Sequence, residues 1–235
     1  MFAILTQVLD SQLLPGSVSN SDGAQSSSPN AKRHLWLHKD TQGLGQSTVL
    51  AGQRVLSLSP AVRNLFPDGG LRRGSTVVVS GSTSLALLTI ATASAEGSWC
   101  AAVNMANLGV DAAVEAGVCL KRLALVPEAG KQWVAVTSAL VEAVDVVLVR
   151  PPGNVSHTDA RRLTAKAREC GAVLVPVVDN SNSWPLADLR LKCQGFVMNG
   201  LFEGYGYLAK PRLMVSVVGR GKASVARQAM VALAS

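Results

Sequence analysis

The sequence predicts an α/β domain built on a mostly parallel sheet, with antiparallel strands added by its C-terminal end. Three observations carry this prediction. From about Val55 to Val178, short apolar runs alternate with segments of helical period, which is the pattern of successive βα units. After Val178 the helical period stops, and ADLRLKC, KPRLMVSVV and ARQAMVALA read as consecutive strands joined by Gly-rich turns. Finally, hydrophobic residues make up 48% of the 235 residues and charged ones 16%, enough for a substantial core.

Taken in order, residues 1–45 predict a poorly ordered N-terminal segment, 46–221 the core domain, and 222–235 a C-terminal strand or tail. SVSNSDGAQSSSPNAKR, residues 17–33, is rich in Ser, Asn, Gly and Pro and has little to bury. The opening MFAILTQVLDSQ is apolar, but it lacks a basic n-region and is interrupted by Gln7 and Asp10, so it makes a poor secretory signal. It could instead serve as a short segment that orders on a partner. VVVS (77–80) is the first strand of the repeating pattern, and residues 83–95 form a helix apolar almost all round, as expected for one packed on a sheet. Trp99–Asn104 is the next strand. Asp111 can cap a short helix that ends near Gly117. LALV (123–126) is a strand, 131–143 a helix, and DVVLV (145–149) a strand. Ser156 and Asp159 are spaced as a capping box, opening a helix to about Cys170 whose buried stripe would be Ala160, Leu163, Ala167 and Cys170. AVLVPVV (172–178) follows, and Pro176 predicts an irregular or incompletely paired strand. No internal repeat is evident.

Charge and cysteine content narrow the function classes. A net charge of +7 permits attraction to nucleic acid without requiring it. Cys100, Cys119, Cys170 and Cys193 are widely spaced and form no CxxC pair, which suits reduced thiols packed as small hydrophobes rather than a zinc site or a disulfide frame. No run is long and apolar enough for a membrane span. These features together predict a cytoplasmic protein with no metal and no bound cofactor. His34 and His38 lie four apart, but HExxH chemistry needs a glutamate where Leu35 stands, and His157 falls at a helix start.

Ligands of open parallel sheets sit at the carboxyl ends of the strands, so the strand tips are the places to test for chemistry. The first tip reads Gly81-Ser82-Thr83-Ser84-Leu85-Ala86-Leu87-Leu88. A working GxxxxGK[ST] loop needs a second glycine, a lysine and a hydroxyl at its last three positions; here they are Ala86, Leu87 and Leu88. Losing the lysine alone removes charge-assisted bonds of roughly 1.5–3 kcal/mol each. Ser82, Thr83 and Ser84 would cap the following helix, and weak anion binding at that helix N-terminus is the competing reading.

Several segments carry a family resemblance when taken together. RVLSLSPAVRNLFPDGGLRRGSTVVVSGSTSLALL resembles the opening of the RecA ATPase core, where a "GGLxxG" turn precedes the phosphate-loop strand. GSWCAAVN, VDVVLVRPPG and DARRLTAKARECGAVLVPV continue it in order, and residues 54–220 resemble the actinobacterial ImuA-type proteins. The resemblance implies a RecA-like, P-loop-type core with degenerate ATPase motifs. It implies an accessory factor of inducible mutagenesis that works with the polymerase-like protein ImuB and an error-prone C-family polymerase in translesion synthesis. It also lets the remaining active-site positions be tested. Ala106 takes the place of the glutamate that activates water, Arg150 that of the aspartate that helps hold magnesium, and Asp179 and Asn180 lie where a glutamine would sense the γ-phosphate. Phosphoryl transfer depends on positioning and on charge stabilisation by lysine, metal and oriented water. With those groups replaced, the expectation is a protein that is not an enzyme.

Two residue groups remain as candidate contact surfaces. Arg161, Arg162, Lys166 and Arg168 lie on one amphipathic helix, and either a solvated helix face or a DNA contact accounts for them. Arg72, Arg73, Lys210, Arg212, Arg220, Lys222 and Arg227 add positive charge in turns and C-terminal strands, while aromatic residues at 4% leave stacking platforms for single-stranded DNA unapparent. Trp184, Phe196, Phe202, Tyr205 and Tyr207 cluster with glycine turns; a hydrophobic sheet edge and a partner-docking surface both fit this pattern.

Overall fold

A computed structural model of the chain describes residues 55–179, 184–197, 211–220 and 226–233. The predicted helix over residues 83–95 and the strands at 77–80 and 123–126 are found at those limits. Asn180, Phe202, Tyr205 and Tyr207, the two N-terminal histidines and the whole predicted N-terminal segment lie outside the described residues.

The chain opens with a small antiparallel pair, β1 (Val55–Leu56) and β2 (Leu71–Arg72), connected through α1 (Pro60–Arg63). The GGLRRG turn explains itself sterically here. A Cβ on Gly70 would sit 2.3 Å from Val55 Cγ1 and 2.5 Å from Leu56 O, so only glycine lets the two short strands close. Gly74 has φ +74, and a Cβ there would meet the backbone of Arg168 at 3.3 Å. The turn is thereby pressed onto the end of a helix far along the chain.

The main sheet follows as β3 (Val77–Ser80), β4 (Cys100–Val103), β5 (Leu123–Val126), β6 (Val146–Val149), β7 (Val173–Val178), β8 (Leu189–Val197), β9 (Arg212–Gly219) and β10 (Arg227–Ala232). Its spatial order is β10-β9-β8-β3-β7-β6-β4-β5. Every pairing from β8 across to β5 is parallel, and β9 and β10 are attached antiparallel. The expected α/β architecture is therefore found, with one adjustment: β8 runs parallel to β3, and the antiparallel part begins only at β9.

Side chains alternate across the sheet and fill two cores. Val77, Val79, Leu148 and Val175 face α2 (Thr83–Ala95) and α3 (Val110–Glu115) on one side. Val78, Val147, Val149 and Leu174 face α4 (Trp133–Ala143) and α5 (His157–Cys170) on the other. Because both faces are covered, β6 and β7 are apolar at every position and buried throughout. Burying a leucine such as Leu87 or Leu163 contributes about 1.5–3 kcal/mol each, and both are essentially inaccessible.

The incomplete pairing expected at Pro176 is found, in a central strand flanked by β3 and β6. Its missing N–H shows as a gap: β3 and β7 pair at Thr76–Leu174 and again from Val79–Val177, with no pairing between. Gly109 occupies the N-cap of α3, and Asp111 sits in the first turn instead, where its charge favours the helix dipole. Cys170 is exposed, and Thr164 takes its place in the buried stripe of α5. The thiols consequently divide, with Cys100 and Cys193 buried and Cys119 half-buried. The Ser156 cap at the start of α5 forms as expected, while Asp159 bonds to the serine hydroxyl instead of its backbone N–H. Ser156 Oγ accepts from Asp159 N at 3.0 Å and donates to Asp159 Oδ2 at 2.7 Å, while Gly171 closes the helix in the left-handed region.

Candidate functional site at the carboxyl end of the sheet

β3, β7, β6 and β4 deliver their carboxyl ends to one side of the molecule, where α2 and α5 leave on opposite faces. Such a point is where an open α/β sheet holds its ligand. A cavity of about 460 Å³ opens there, lined among others by Asn104, Ala106, Glu128, Arg150 and Asp179. The structure thus brings Ala106, Arg150 and Asp179 together, three positions singled out from sequence.

The connection from β3 to α2 is only Gly81 and Ser82. Gly81 has φ +81, which glycine tolerates, and its N–H donates to Val178 O at 3.3 Å. Ser82 is the N-cap, accepting from Leu85 N at 3.2 Å. The helix is under way at Thr83, so Thr83 to Ala86 form its first turn instead of a loop. Of the backbone amides that would wrap a phosphate, that of Leu85 donates to the Ser82 side chain and that of Ala86 to Ser82 O at 3.4 Å. Ala86, Leu87 and Leu88 are buried in the core, and Leu87 is only 1% exposed. Of the eight positions from Gly81 to Leu88, only Gly81 to Ser84 remain near the sheet tip, and the P-loop element of the expected fold is not formed.

Arg150 follows β6 and crosses to α2. Its Nη2 donates to Thr83 Oγ1 at 2.9 Å, and its backbone N–H donates to Val103 O at 3.0 Å. Its Nε is buried and has no hydrogen-bond partner. A guanidinium beside a helix N-terminus opposes the dipole by roughly 0.3–1 kcal/mol, and the bond to Thr83 offsets this. Two positive features now converge where a magnesium ion would have to sit. The arrangement repels a divalent cation and favours an anion. The reach of Arg150 to Thr83 could not be read from spacing, because the two residues lie on different strands' tips.

Asn104, just past β4, adopts φ 56 in the left-handed region, and its Oδ1 accepts from Ala129 N at 2.6 Å. This side chain holds the loop after β5 against the tip of β4, so its role is structural. Asp179 is exposed at the cavity wall. Among the described residues no group of three His, Cys, Asp or Glu is placed to hold a metal, and no helix is long and apolar enough to cross a membrane.

The four basic residues of α5 do not act as one patch. Lys166 Nζ lies 2.8 Å from Glu142 Oε1 on α4, and that hydrogen bond raises its pKa above the ordinary lysine value. Arg162 is exposed and shares that general side by helical spacing. Arg161 and Arg168 lie two turns apart along another line of the helix and line a different surface at the amino end of the sheet. The aromatic cluster divides as well. Trp184 is wholly buried against Val78, Leu174 and Ala187, so it is core and cannot dock a partner. Phe196 is 67% exposed. Sequence reasoning missed the exposed aliphatic side chains nearby: Met214 and Met230 pair directly across β9 and β10, and Val218 is exposed farther along β9.

The chain is 30% identical over 191 residues to the uncharacterized protein Rv3395c of Mycobacterium tuberculosis, covering 77% of this chain and 91% of that protein. Residues 64–185, from the end of α1 through β7 to the buried Trp184, match the family described as MT3502 N-terminal domain. The chain, with its helix-capped first strand and arginine-filled sheet tip, therefore belongs to the MT3502 N-terminal domain family.

Proposed function

We propose that this protein is a non-catalytic adaptor of the ImuA type, a RecA-like scaffold without ATPase chemistry. In this reading it assembles an ImuB-type polymerase-like protein and an error-prone C-family polymerase for translesion synthesis during the DNA damage response. The observation that carries the non-catalytic part is the start of α2 at Thr83, which puts the lysine position in the core, together with Arg150 across the tip. Among the described residues, no set at the tip can hold magnesium, orient water and stabilise a leaving phosphate together. The partner assignment draws on the resemblance of residues 54–220 to ImuA-type proteins.

The adaptor needs a docking surface, and the antiparallel end of the sheet supports one. Met214 and Val218 on β9 and Met230 on β10 are exposed on one face there, Phe196 is exposed on β8, and no described strand covers the outer edge of β10. Apolar side chains beside an open strand edge are what a partner strand or helix buries on docking.

Co-precipitation of the ImuB-type partner tests this reading. Deleting residues 184–235 would remove β8 to β10 and unfold the sheet, so point variants are the proper probe. Met214→Lys combined with Met230→Glu, which sets opposite charges across the pair, should abolish capture while leaving the melting temperature within about 2 °C of wild type, as expected of exposed positions. Undiminished capture would refute the docking surface. Saturable ATP–magnesium binding accompanied by turnover would refute the non-catalytic reading.

A further inference from the structure

The opposite end of the sheet carries a basic groove that neither the tip nor the antiparallel strands use. A cavity of about 750 Å³ opens at the amino ends of β3 and β8, lined by Arg72, Arg73, Arg168 and Arg220, with Phe66, Val77 and Leu189 among the apolar residues below them. A second cavity of about 190 Å³ adjoins it, sharing Arg168, Asp188 and Arg220 and adding Arg161. Gly74 builds this groove, because its contact with the Arg168 backbone presses the Arg72–Arg73 turn onto the end of α5.

The charges are not spent internally. Arg73 is committed, its Nη1 2.8 Å from Asp145 Oδ1. Arg168 is only loosely held, 3.8 Å from Asp188, whose Oδ2 also accepts from Thr76 N at 2.9 Å. Arg72, Arg161 and Arg220 are exposed, and none of them lies within salt-bridge distance of a carboxylate among the described residues. Asp68 and Asp188 line the larger cavity too, but the arginines outnumber them.

We propose that this groove docks an acidic peptide segment carrying an apolar anchor residue, its carboxylates on Arg72, Arg168 and Arg220 and its anchor against the half-buried Val55 and Pro67 that line the cavity. Planar guanidinium groups match carboxylates bidentately, and a concave apolar floor under a polar rim suits an anchor side chain. Single-stranded nucleic acid fits less well. The one aromatic ring lining the cavity, Phe66, is 5% exposed, so no base finds a face to stack on. The inference stands apart from the adaptor reading and from the surface on β9 and β10, since it concerns a separate face.

Fluorescence anisotropy on the full chain tests it with three labelled probes. One is a peptide of Asp and Glu residues ending in Leu-Phe, the second the same peptide ending in Gly-Gly, and the third an oligothymidylate of similar charge. The Leu-Phe peptide should bind most tightly, and Arg72→Glu combined with Arg220→Glu should weaken it roughly tenfold or more with thermal unfolding unchanged. The proposal is overturned if the Leu-Phe peptide does not bind, if the Gly-Gly peptide binds equally, if the folded double variant binds like wild type, or if the oligonucleotide binds best. The last result would assign the groove to nucleic acid instead.

Discussion

Placing a lysine at position 87 is the sharpest test of how β3 meets its helix. Leu87 is where a GxxxxGK[ST] pattern starting at Gly81 would put its lysine, yet it lies in the second turn of α2 and is 1% exposed. Leu87→Lys should therefore damage the core and create no nucleotide site. Losing the leucine from a packed interior costs about 2–5 kcal/mol, and lodging an ammonium group there adds at least a further 1–3 kcal/mol. Taking about 4 kcal/mol in total and a urea slope of about 2 kcal/mol/M, the unfolding midpoint should fall by about 2 M. Since domains of this size are stable by only about 5–15 kcal/mol, the variant would be near the limit of folding. Leu87→Met, which conserves volume, should cost less than about 1.5 kcal/mol and serves as the control. Circular dichroism in urea reads the stability, and calorimetric titration with ATP and magnesium reads binding. A Leu87→Lys protein with a wild-type midpoint that also binds ATP would refute the reasoning, because it would place position 87 at the sheet tip.

Three other outcomes follow from particular contacts. Gly74→Ala should destabilise by about 1–3 kcal/mol, since it combines a positive φ with a backbone clash at Arg168; Gly97→Ala, with φ +102 but open space around it, should cost only about 1 kcal/mol, and equal losses in urea melts would contradict the packing argument. Asp145→Asn weakens the 2.8 Å pair with Arg73 and the 2.9 Å bond from Trp99 N, so a loss of about 2–3 kcal/mol is expected; an unchanged thermal midpoint would mean the pair is not needed. Burial, reinforced by the negative charge of Asp145, pushes Cys100 up to about 12 from 9.0. Below pH 9 both folded and unfolded chains keep that proton, and between pH 9 and 12 only the folded chain does, so stability is lost as pH rises through this window. Cys100→Ala should flatten the decline relative to wild type, and parallel stability curves across that range would exclude Cys100 as its source.

The two ends of the sheet differ in what they offer. At the carboxyl end Arg150 is held by Thr83, and the helix that might have received a phosphate is capped by its own serine. At the amino end, exposed arginines surround an apolar floor and lack carboxylate partners of comparable number. For a protein read as an adaptor, the second arrangement is the more open to binding.

How much of this was legible beforehand follows from the range of the interactions concerned. Strand and helix identities along residues 77–178 depend on hydrophobic period, caps and glycines, all local, and Ser82, Ser156 and Gly171 punctuate the helices from sequence alone. The absence of a GxxxxGK[ST] lysine at Leu87 was equally plain in the one-dimensional text. Only the tertiary structure decided that β7 with its Pro176 is central, that Trp184 is core, and that Arg161 and Arg168 part company with Lys166. It alone showed that Arg150 reaches Thr83 and that Arg72 meets Arg220 beneath the sheet. Local propensity acts over a few neighbouring residues, whereas strand order and side-chain encounters are set by which apolar faces can be buried together across the whole chain.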